Sequence, residues 1–389
     1  MALDPERARR ARRWILGCTG GCLGAVVILA VAGYLVARHF YQAMPIVPPQ
    51  TFLTRDTSAF AFVRVDPAVP LTMETALDVV MLPEMVGVYA TESGQARQPD
   101  RKMAGDFITS VAPLQAVVVL QPEEKGRAIH GGLALSVRSG SRLLSLVVRQ
   151  RVEATFVPFE GAEIARLARD AFVALYANNY MSSDREDLIK AWIGNLNAER
   201  ARQAQAAQGV RPAAPPLSIS PALRRAYDRL DAGQPLVFAT LNSHRELVSL
   251  ASLITDEQAR RFIEESGVAS DAVLSLAGQI KPLSNRDAEL TLFADCINAE
   301  TAVQMRDGLI NVASAAGDKW PLTEMTVEIR DDTTLVVTAR VVDLPAKVAG
   351  MVAAVIRRTQ GEGGKPAPAP RPAAAPQPPT APQPAANSG

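Results

Sequence analysis

The sequence is poor in the residues that most often carry chemistry. Of 389 residues, only three are cysteine and three are histidine. Cys18 and Cys22 lie inside an apolar N-terminal run, so Cys296 is alone in the rest of the chain and no disulfide is expected there. We interpret Cys296 as a small buried apolar residue.

Histidines and catalytic motifs are equally scarce. His39, His130 and His244 are far apart, and none has a second ligand residue at a spacing typical of zinc. The motifs of a P-loop, a dinucleotide fold, a serine hydrolase and a zinc protease are all absent. The sequence therefore predicts no metal and no cofactor, and it favours a protein without catalytic activity over an enzyme.

Two groups of acidic residues are the remaining candidates for a carboxylate site. Asp184, Glu186 and Asp187 stand where a helix is predicted to begin, and the helix dipole favours negative side chains there. Asp331 and Asp332 separate two predicted strands, which is typical of a hairpin turn. Both groups are interpreted as structural, with a carboxylate cluster and a calcium site as the alternatives.

The chain also lacks a large excess of charge of either sign. Its net charge is +1, and residues 1–13 together with Arg38 carry four net positive charges. Residues 39–389 therefore carry a net charge of −3. A weakly acidic surface lacks the basic field that nucleic-acid binding needs, so we predict no nucleic-acid partner.

One long apolar run is present near the N-terminus. Residues 14–37 contain 24 residues without a charge, enough to cross a bilayer as a helix. Five arginines precede the run, and only Arg38 and His39 follow it closely. The positive-inside rule then places residues 1–13 in the cytoplasm and residues 38–389 outside it. The sequence predicts a single-pass protein of the cytoplasmic (inner) membrane.

Three alternatives concern this apolar run. A signal peptide could be cleaved after Ala32, Cys18 or Cys22 could mark a lipoprotein site, and Arg12–Arg13 resembles a twin-arginine export signal. An uncleaved anchor fits better because the apolar run continues through residues 33–37. The run also contains small residues four apart, which would let two helices pack closely and form a homodimer. These residues are Gly17, Gly20, Gly21 and Gly24.

The pattern of strands and helices after the anchor predicts an α+β fold with antiparallel sheets covered by helices. Strands are predicted at 58–66, 114–121, 129–138 and 143–152, with helices at 71–81 and 163–180. A similar order follows after residue 235, which suggests a duplicated module. The predicted divisions are a basic tail (1–13), a transmembrane helix (14–37), an extended spacer (38–57), a first α+β unit (58–180), a helical connector and linker (181–234), a second α+β unit (235–360) and a disordered Pro/Ala-rich tail (361–389).

These patterns favour a non-catalytic protein of a bacterial cell envelope that binds or holds another envelope protein. An envelope hydrolase or transferase without a recognisable motif is the first alternative. A module that binds lipid or another small apolar ligand is the second.

Overall fold

The computed structural model describes most of the chain after residue 42. Within the described part, no helix is long and apolar enough to cross a membrane. The predicted span with Gly17, Gly20, Gly21 and Gly24, and also His39 and His244, lie outside that part. The described residues are 43–83, 100–122, 129–142, 145–146, 149, 154–167, 171–209, 218–243, 271–317 and 322–363.

The strands of the described residues form one antiparallel sheet of twelve, so the α+β class is confirmed. The prediction of a separate sheet for each unit is wrong. Strands β1 and β8 pair directly, with Ala59 opposite Thr240 and Val63 opposite Leu236, and this pairing joins the two halves. The strands are β1 (Ala59–Val65), β2 (Leu114–Pro122), β3 (Ile129–Val137), β4 (Val157–Phe159), β5 (Ala162–Arg166), β6 (Phe172–Tyr176), β7 (Asn179–Ser183), β8 (Leu236–Leu241), β9 (Val273–Pro282), β10 (Ala288–Cys296), β11 (Thr323–Arg330) and β12 (Thr334–Val341).

The strand order is the same on both sides of the β1–β8 pairing. Outward from it, one half reads β1, β2, β3, β7, β6 and the other reads β8, β9, β10, β12, β11. In each half the last hairpin, β6–β7 or β11–β12, folds back onto the sheet. Its second strand therefore pairs with the third strand of that half, β7 with β3 and β12 with β10. A duplicated module would produce this arrangement, although the duplication itself stays a prediction.

Helices begin where side chains can cap their free N–H groups. The Ser220 hydroxyl accepts a hydrogen bond from the Leu223 N–H (3.2 Å), and the Asn298 side chain accepts one from the Thr301 N–H (2.8 Å). A short 3₁₀ helix, Pro49–Phe52, precedes β1. The α-helices of the described ranges are α1 (Pro70–Val80), α2 (Arg101–Val111), α3 (Glu186–Ala207), α4 (Pro221–Tyr227), α5 (Ala299–Ala316) and α6 (Leu344–Gly363).

The main core lies on the sheet face that α3 and α4 cover. Trp192 of α3 is fully buried, packs edge-to-face on Phe52 with 5.8 Å between ring centroids, and donates its indole N–H to the Phe52 carbonyl. Val47 and Leu53 are buried in the same region. Residues 43–57, predicted as a spacer, and helices α3 and α4, which lie in the predicted helical connector, therefore contribute side chains to the main core. Both stretches build the core because their apolar side chains cover the strands.

Helices α1, α2 and α5 cover parts of the opposite face. Val65 of β1 packs with Leu77 of α1 and Ile108 of α2. Under α5, Ala294 and Leu335 form a second cluster at the other end of the sheet. Helix α6 packs against α1, so the C-terminal part of the fold contacts the N-terminal part. We call the face under α3 and α4 the first face and this one the second face.

Two predicted elements are of the wrong type. Residues 163–180, predicted as a helix, form β5, β6 and the start of β7. Of residues 143–152, predicted as a strand, the described positions 145–146 and 149 are helical. Two boundaries also move, because β7 crosses 180/181 and α6 crosses 360/361.

Candidate functional site

Two open pockets lie on the first face within the described residues. The first, of about 360 Å³, we call the N-terminal pocket because residues 44–49 form one wall; Arg64, Pro113, Gln115 and Arg138 form the rest. The second, of about 250 Å³, we call the Asp295 pocket. It brings together Arg229, Ser275, Asp295 and Thr334, which are far apart in the sequence.

The register of three strands places the polar groups of the Asp295 pocket in one row. Asp295 of β10 lies opposite both Ser275 of β9 and Thr334 of β12. The Ser275 hydroxyl donates to Asp295 Oδ2 (2.7 Å), and the Thr334 hydroxyl donates to Oδ1 (3.1 Å). Arg229, just after α4, forms an ion pair with Asp295 and donates to the Thr334 hydroxyl (3.3 Å).

These contacts hold Asp295 in its charged form. Burial acts to raise the pKa of Asp295, but the hydrogen bonds from Ser275 and Arg229, the Arg229 charge and the Thr334 hydroxyl together lower it below the ordinary value. A carboxylate that is fully ionised and engaged by three donors is a weak base. The arrangement is suited to fixing strands and to presenting polar groups, and poorly suited to taking a proton.

The neighbouring Cys296 offers no nucleophile. Its side chain belongs to the buried cluster under α5, with Sγ 3.5 Å from the Met305 sulfur. Burial, together with the Asp295 charge, raises the pKa of the Cys296 thiol. The thiol is therefore protonated at neutral pH and unreactive. The interpretation of Cys296 as a small buried residue is confirmed.

The second candidate from the sequence, Asp331–Asp332, forms the β11–β12 turn. Both residues have positive φ (49° and 58°), the left-handed conformation that Asp tolerates in tight turns. The hairpin prediction is confirmed. No group of three potential ligands from His, Cys, Asp and Glu is placed to hold a metal in the part of the chain that the structure describes.

The three acids at the start of α3 do not converge on one point. Asp184 accepts from His130 Nδ1 (2.9 Å) and from the Gly131 N–H (3.2 Å), whereas Glu186 pairs with Lys190 (2.8 Å). Asp187 pairs instead with Arg185. Sequence reasoning could not pair His130 with Asp184, because only the β3–β7 pairing brings these two parts of the chain together.

The Arg185 contact sets the charge state of Asp187. Its hydrogen bond, aided by its charge and by backbone N–H groups, outweighs burial and lowers the pKa of Asp187. Glu186 and Asp187 both lie in the first turn of α3, where the helix dipole favours anions. The structural interpretation of these acids fits their surroundings.

Sequence reasoning missed the Asp295 network. The strands that carry it were expected, but a pattern of alternating residues does not reveal which strands are neighbours. β12 lies between β10 and β11, and only this order brings Thr334 to Asp295. The one available signal was that Ser275, Asp295 and Thr334 occur in strands that are rich in apolar residues.

Comparison with known proteins identifies no family. No family model matches the chain, and no curated protein matches it. Among solved structures, crystal form IV of TP0453 has a TM-score of 0.41 and 9% identity over 79% of this chain and 97% of that chain. Crystal form I of TP0453 has a TM-score of 0.40 and 11% identity over 80% and 98%, respectively. Likenesses at this level carry no argument about function.

Proposed function

We propose that the chain is a single-pass, membrane-anchored protein of a bacterial cell envelope whose extracytoplasmic fold binds another envelope protein without catalysis. The uncharged run at residues 14–37 and the arginines before it support the anchor and its orientation. The binding role rests on one observation, an apolar surface on the second face of the sheet.

This surface, which we call the central apolar surface, consists of Val63, Val118 and Leu133. Their exposed fractions are 37%, 39% and 45%. Val118 lies directly opposite Leu133 on β3 and opposite Ala61 on β1, so the three strands present contiguous apolar groups. Contiguous exposed apolar groups on a sheet face mark interaction sites more often than scattered ones do.

Helix α2 adds a second apolar stripe. Met103 and Phe107 are 66% and 52% exposed and lie one turn apart, on the side of α2 that does not pack on Val65. Aromatic residues and methionine are enriched in protein interfaces. This stripe gives a partner a second apolar contact in addition to the central apolar surface.

The positions of the groups with shifted pKa values support a non-catalytic role. Active sites gather groups with shifted pKa values in one cleft. Here Asp187, Asp231 and Asp287 all have lowered pKa values, but each lies in its own turn or surface ion pair and none lines the Asp295 pocket. Two groups with shifted pKa values do line that pocket, but Asp295 is held ionised by its donors and Cys296 is buried under α5. The shifts follow from local hydrogen bonds to neighbouring arginines, amides and backbone N–H groups.

The anchor and its orientation are tested by fractionation and by a reporter. We expect the full chain to stay with membranes through an alkaline carbonate wash, and a reporter active only outside the cytoplasm to work when fused at Gly361. Activity of a cytoplasm-only reporter at that site would overturn the orientation. Release of the whole folded part as soluble protein would show cleavage near Ala32.

Protein binding is tested by site-specific photo-crosslinking in native membranes. A photoreactive residue at Val118 or Leu133 should yield a protein adduct of one discrete mass. Val157, exposed on the edge strand β4, is the matched control and should yield none. Adducts to lipid alone would favour the apolar-ligand alternative, and equal adducts at Val157 would contradict a specific surface.

A further inference from the structure

The N-terminal pocket has two arginines on one side and carbon-rich walls on the other. Arg64 projects from β1, with about half of its side chain exposed, and donates one N–H to Asp66 (2.7 Å). A guanidinium has five donors, so this contact leaves others for a ligand. Arg138 follows β3 and is exposed, and no carboxylate of the described ranges forms an ion pair with it. None of the described residues that line the pocket carries a carboxylate.

Backbone contacts fix the position of Arg138. Its N–H donates to the Val111 and Pro113 carbonyls (both 3.2 Å), and its carbonyl accepts from the Met44 N–H (2.7 Å). The buried Gln115 amide donates to the Val47 carbonyl (3.2 Å) and so holds the proline-containing wall against the sheet. The pocket is thus built by tertiary contacts between its wall and the sheet.

The walls of the N-terminal pocket present mainly apolar groups and few hydrogen-bond donors. Four of the lining residues are prolines, which have no N–H, and Met44, Ile46 and Val47 add further apolar groups. A small inorganic anion would leave these walls unused. A ligand with an anionic head and an apolar body fits both the arginines and the walls. The four prolines are Pro45, Pro48, Pro49 and Pro113.

The position of the pocket in the chain indicates where such a ligand would come from. Its wall begins at Met44, seven residues after Ala37 ends the uncharged run. Seven extended residues span at most ~25 Å. With the run in the membrane, the pocket is held within that distance of the bilayer surface, where phospholipid headgroups are concentrated.

We propose that the N-terminal pocket binds an anionic phospholipid, with Arg64 and Arg138 on its phosphate and the proline-rich wall on its glycerol and first acyl carbons. Guanidinium groups match phosphate oxygens in geometry and charge. The assignment rests on the proposed anchor for its supply of lipid. The binding itself does not need the anchor, so an experiment that contradicts the lipid-binding proposal leaves the anchor proposal intact, and the reverse also holds.

The test uses the full chain purified in a non-ionic detergent and a fluorescent short-chain phosphatidylglycerol, with binding followed by anisotropy. Arg138→Gln should weaken binding roughly tenfold or more, the effect of losing one charge-assisted contact. Arg138→Lys, which keeps the charge, should retain part of the affinity. Arg225→Gln, a change at an exposed arginine of the Asp295 pocket, is the matched control and should leave binding unchanged.

Three outcomes would overturn the assignment. The first is saturable binding that Arg138→Gln does not alter, and the second is equal affinity for the zwitterionic phosphatidylcholine analogue. The third is displacement of the probe by inorganic phosphate at low millimolar concentration, which would make the pocket a site for free anions. Circular dichroism of each variant checks that its fold is intact.

Discussion

Some residues of this fold are held by contacts with residues that are distant in the sequence. Asp295 joins β9, β10 and β12 to the end of α4 through Ser275, Thr334 and Arg229. Its carboxylate is partly buried, and each of these three contacts comes from a donor. Such a group stabilises the fold only while it is charged, because the protonated form accepts fewer hydrogen bonds and loses the ion pair.

The charge of Asp295 predicts how stability depends on pH. Because its pKa is lower in the folded state than its ordinary value, its contribution is present above the ordinary pKa and is lost as the pH falls through the folded pKa. We expect Asp295→Asn to lower the free energy of unfolding by about 2 kcal/mol at pH 7. The difference from the wild type should narrow below about pH 4.

Urea unfolding at several pH values measures this difference. Asp228→Asn is the control, since Asp228 forms an exposed ion pair with Arg224 within one helix turn and should change stability by less than about 0.5 kcal/mol. A constant difference between wild type and Asp295→Asn from pH 7 to pH 3 would contradict the proposed charge state.

Adjacent glycines of β3 point to opposite faces and so predict opposite results. A Cβ at Gly132 would lie 2.4 Å from Trp192 Cη2 and 3.0 Å from Leu188 Cδ2, inside the packed core. We expect Gly132→Ala to cost about 1–3 kcal/mol through overpacking. A Cβ at Gly131 would meet only Leu120 Cδ2 at 3.6 Å, an ordinary contact. Gly131→Ala should be close to neutral in thermal unfolding, and equal losses would mean that Trp192 does not pack there.

At the scale of elements, sequence reasoning succeeded where local signals were strong. The alternation of residues 58–66 correctly predicted β1, and the helical spacing of residues 71–81 correctly predicted α1. It failed at residues 163–180, where Ile164, Phe172 and Leu175 happen to fall at helical spacing. These residues belong to two five-residue strands, and a tight turn with Ala177 at positive φ (54°) follows. Short strands with tight turns imitate helical periodicity.

The N-terminus of α3 predicts small effects for its acids. Asp184, Glu186 and Asp187 are about half or more exposed, and each has its own partner. Replacing any one by alanine should change the free energy of unfolding by about 1 kcal/mol or less, as for surface ion pairs and helix-dipole contacts. Trp192→Ala in the same helix should cost about 3–5 kcal/mol and shows that the measurement is sensitive. A loss above 2 kcal/mol at one acid would point to a functional network.

At the scale of the whole molecule, the pairing of β1 with β8, the seam of the sheet, joins the two halves of the chain into one fold. The sequence could not reveal this seam, because the two strands are separated by some 170 residues and nothing local specifies their pairing. Val237 and Ala239 of β8 and Ala277 of β9 share one core with Phe60 and Phe62 of β1. Tyr227, the last residue of α4, packs edge-to-face on both phenylalanines. The candidate N-terminal and Asp295 pockets both lie on this shared first face.

This shared core predicts that the C-terminal half does not fold alone, even though residues 235–360 resemble a unit in the sequence. A fragment of residues 218–363 keeps α4, β8–β12, α5 and α6 but loses β1, which leaves one side of β8 without hydrogen-bonding partners and uncovers Val237. We expect a broad thermal transition and aggregation of the fragment. Adding residues 43–209 as a separate chain should restore a sharp cooperative transition, because strand β1 and helix α3 cover the exposed edge and core. A sharp transition of the fragment alone would instead support two independent units and would make the β1–β8 seam a contact between domains.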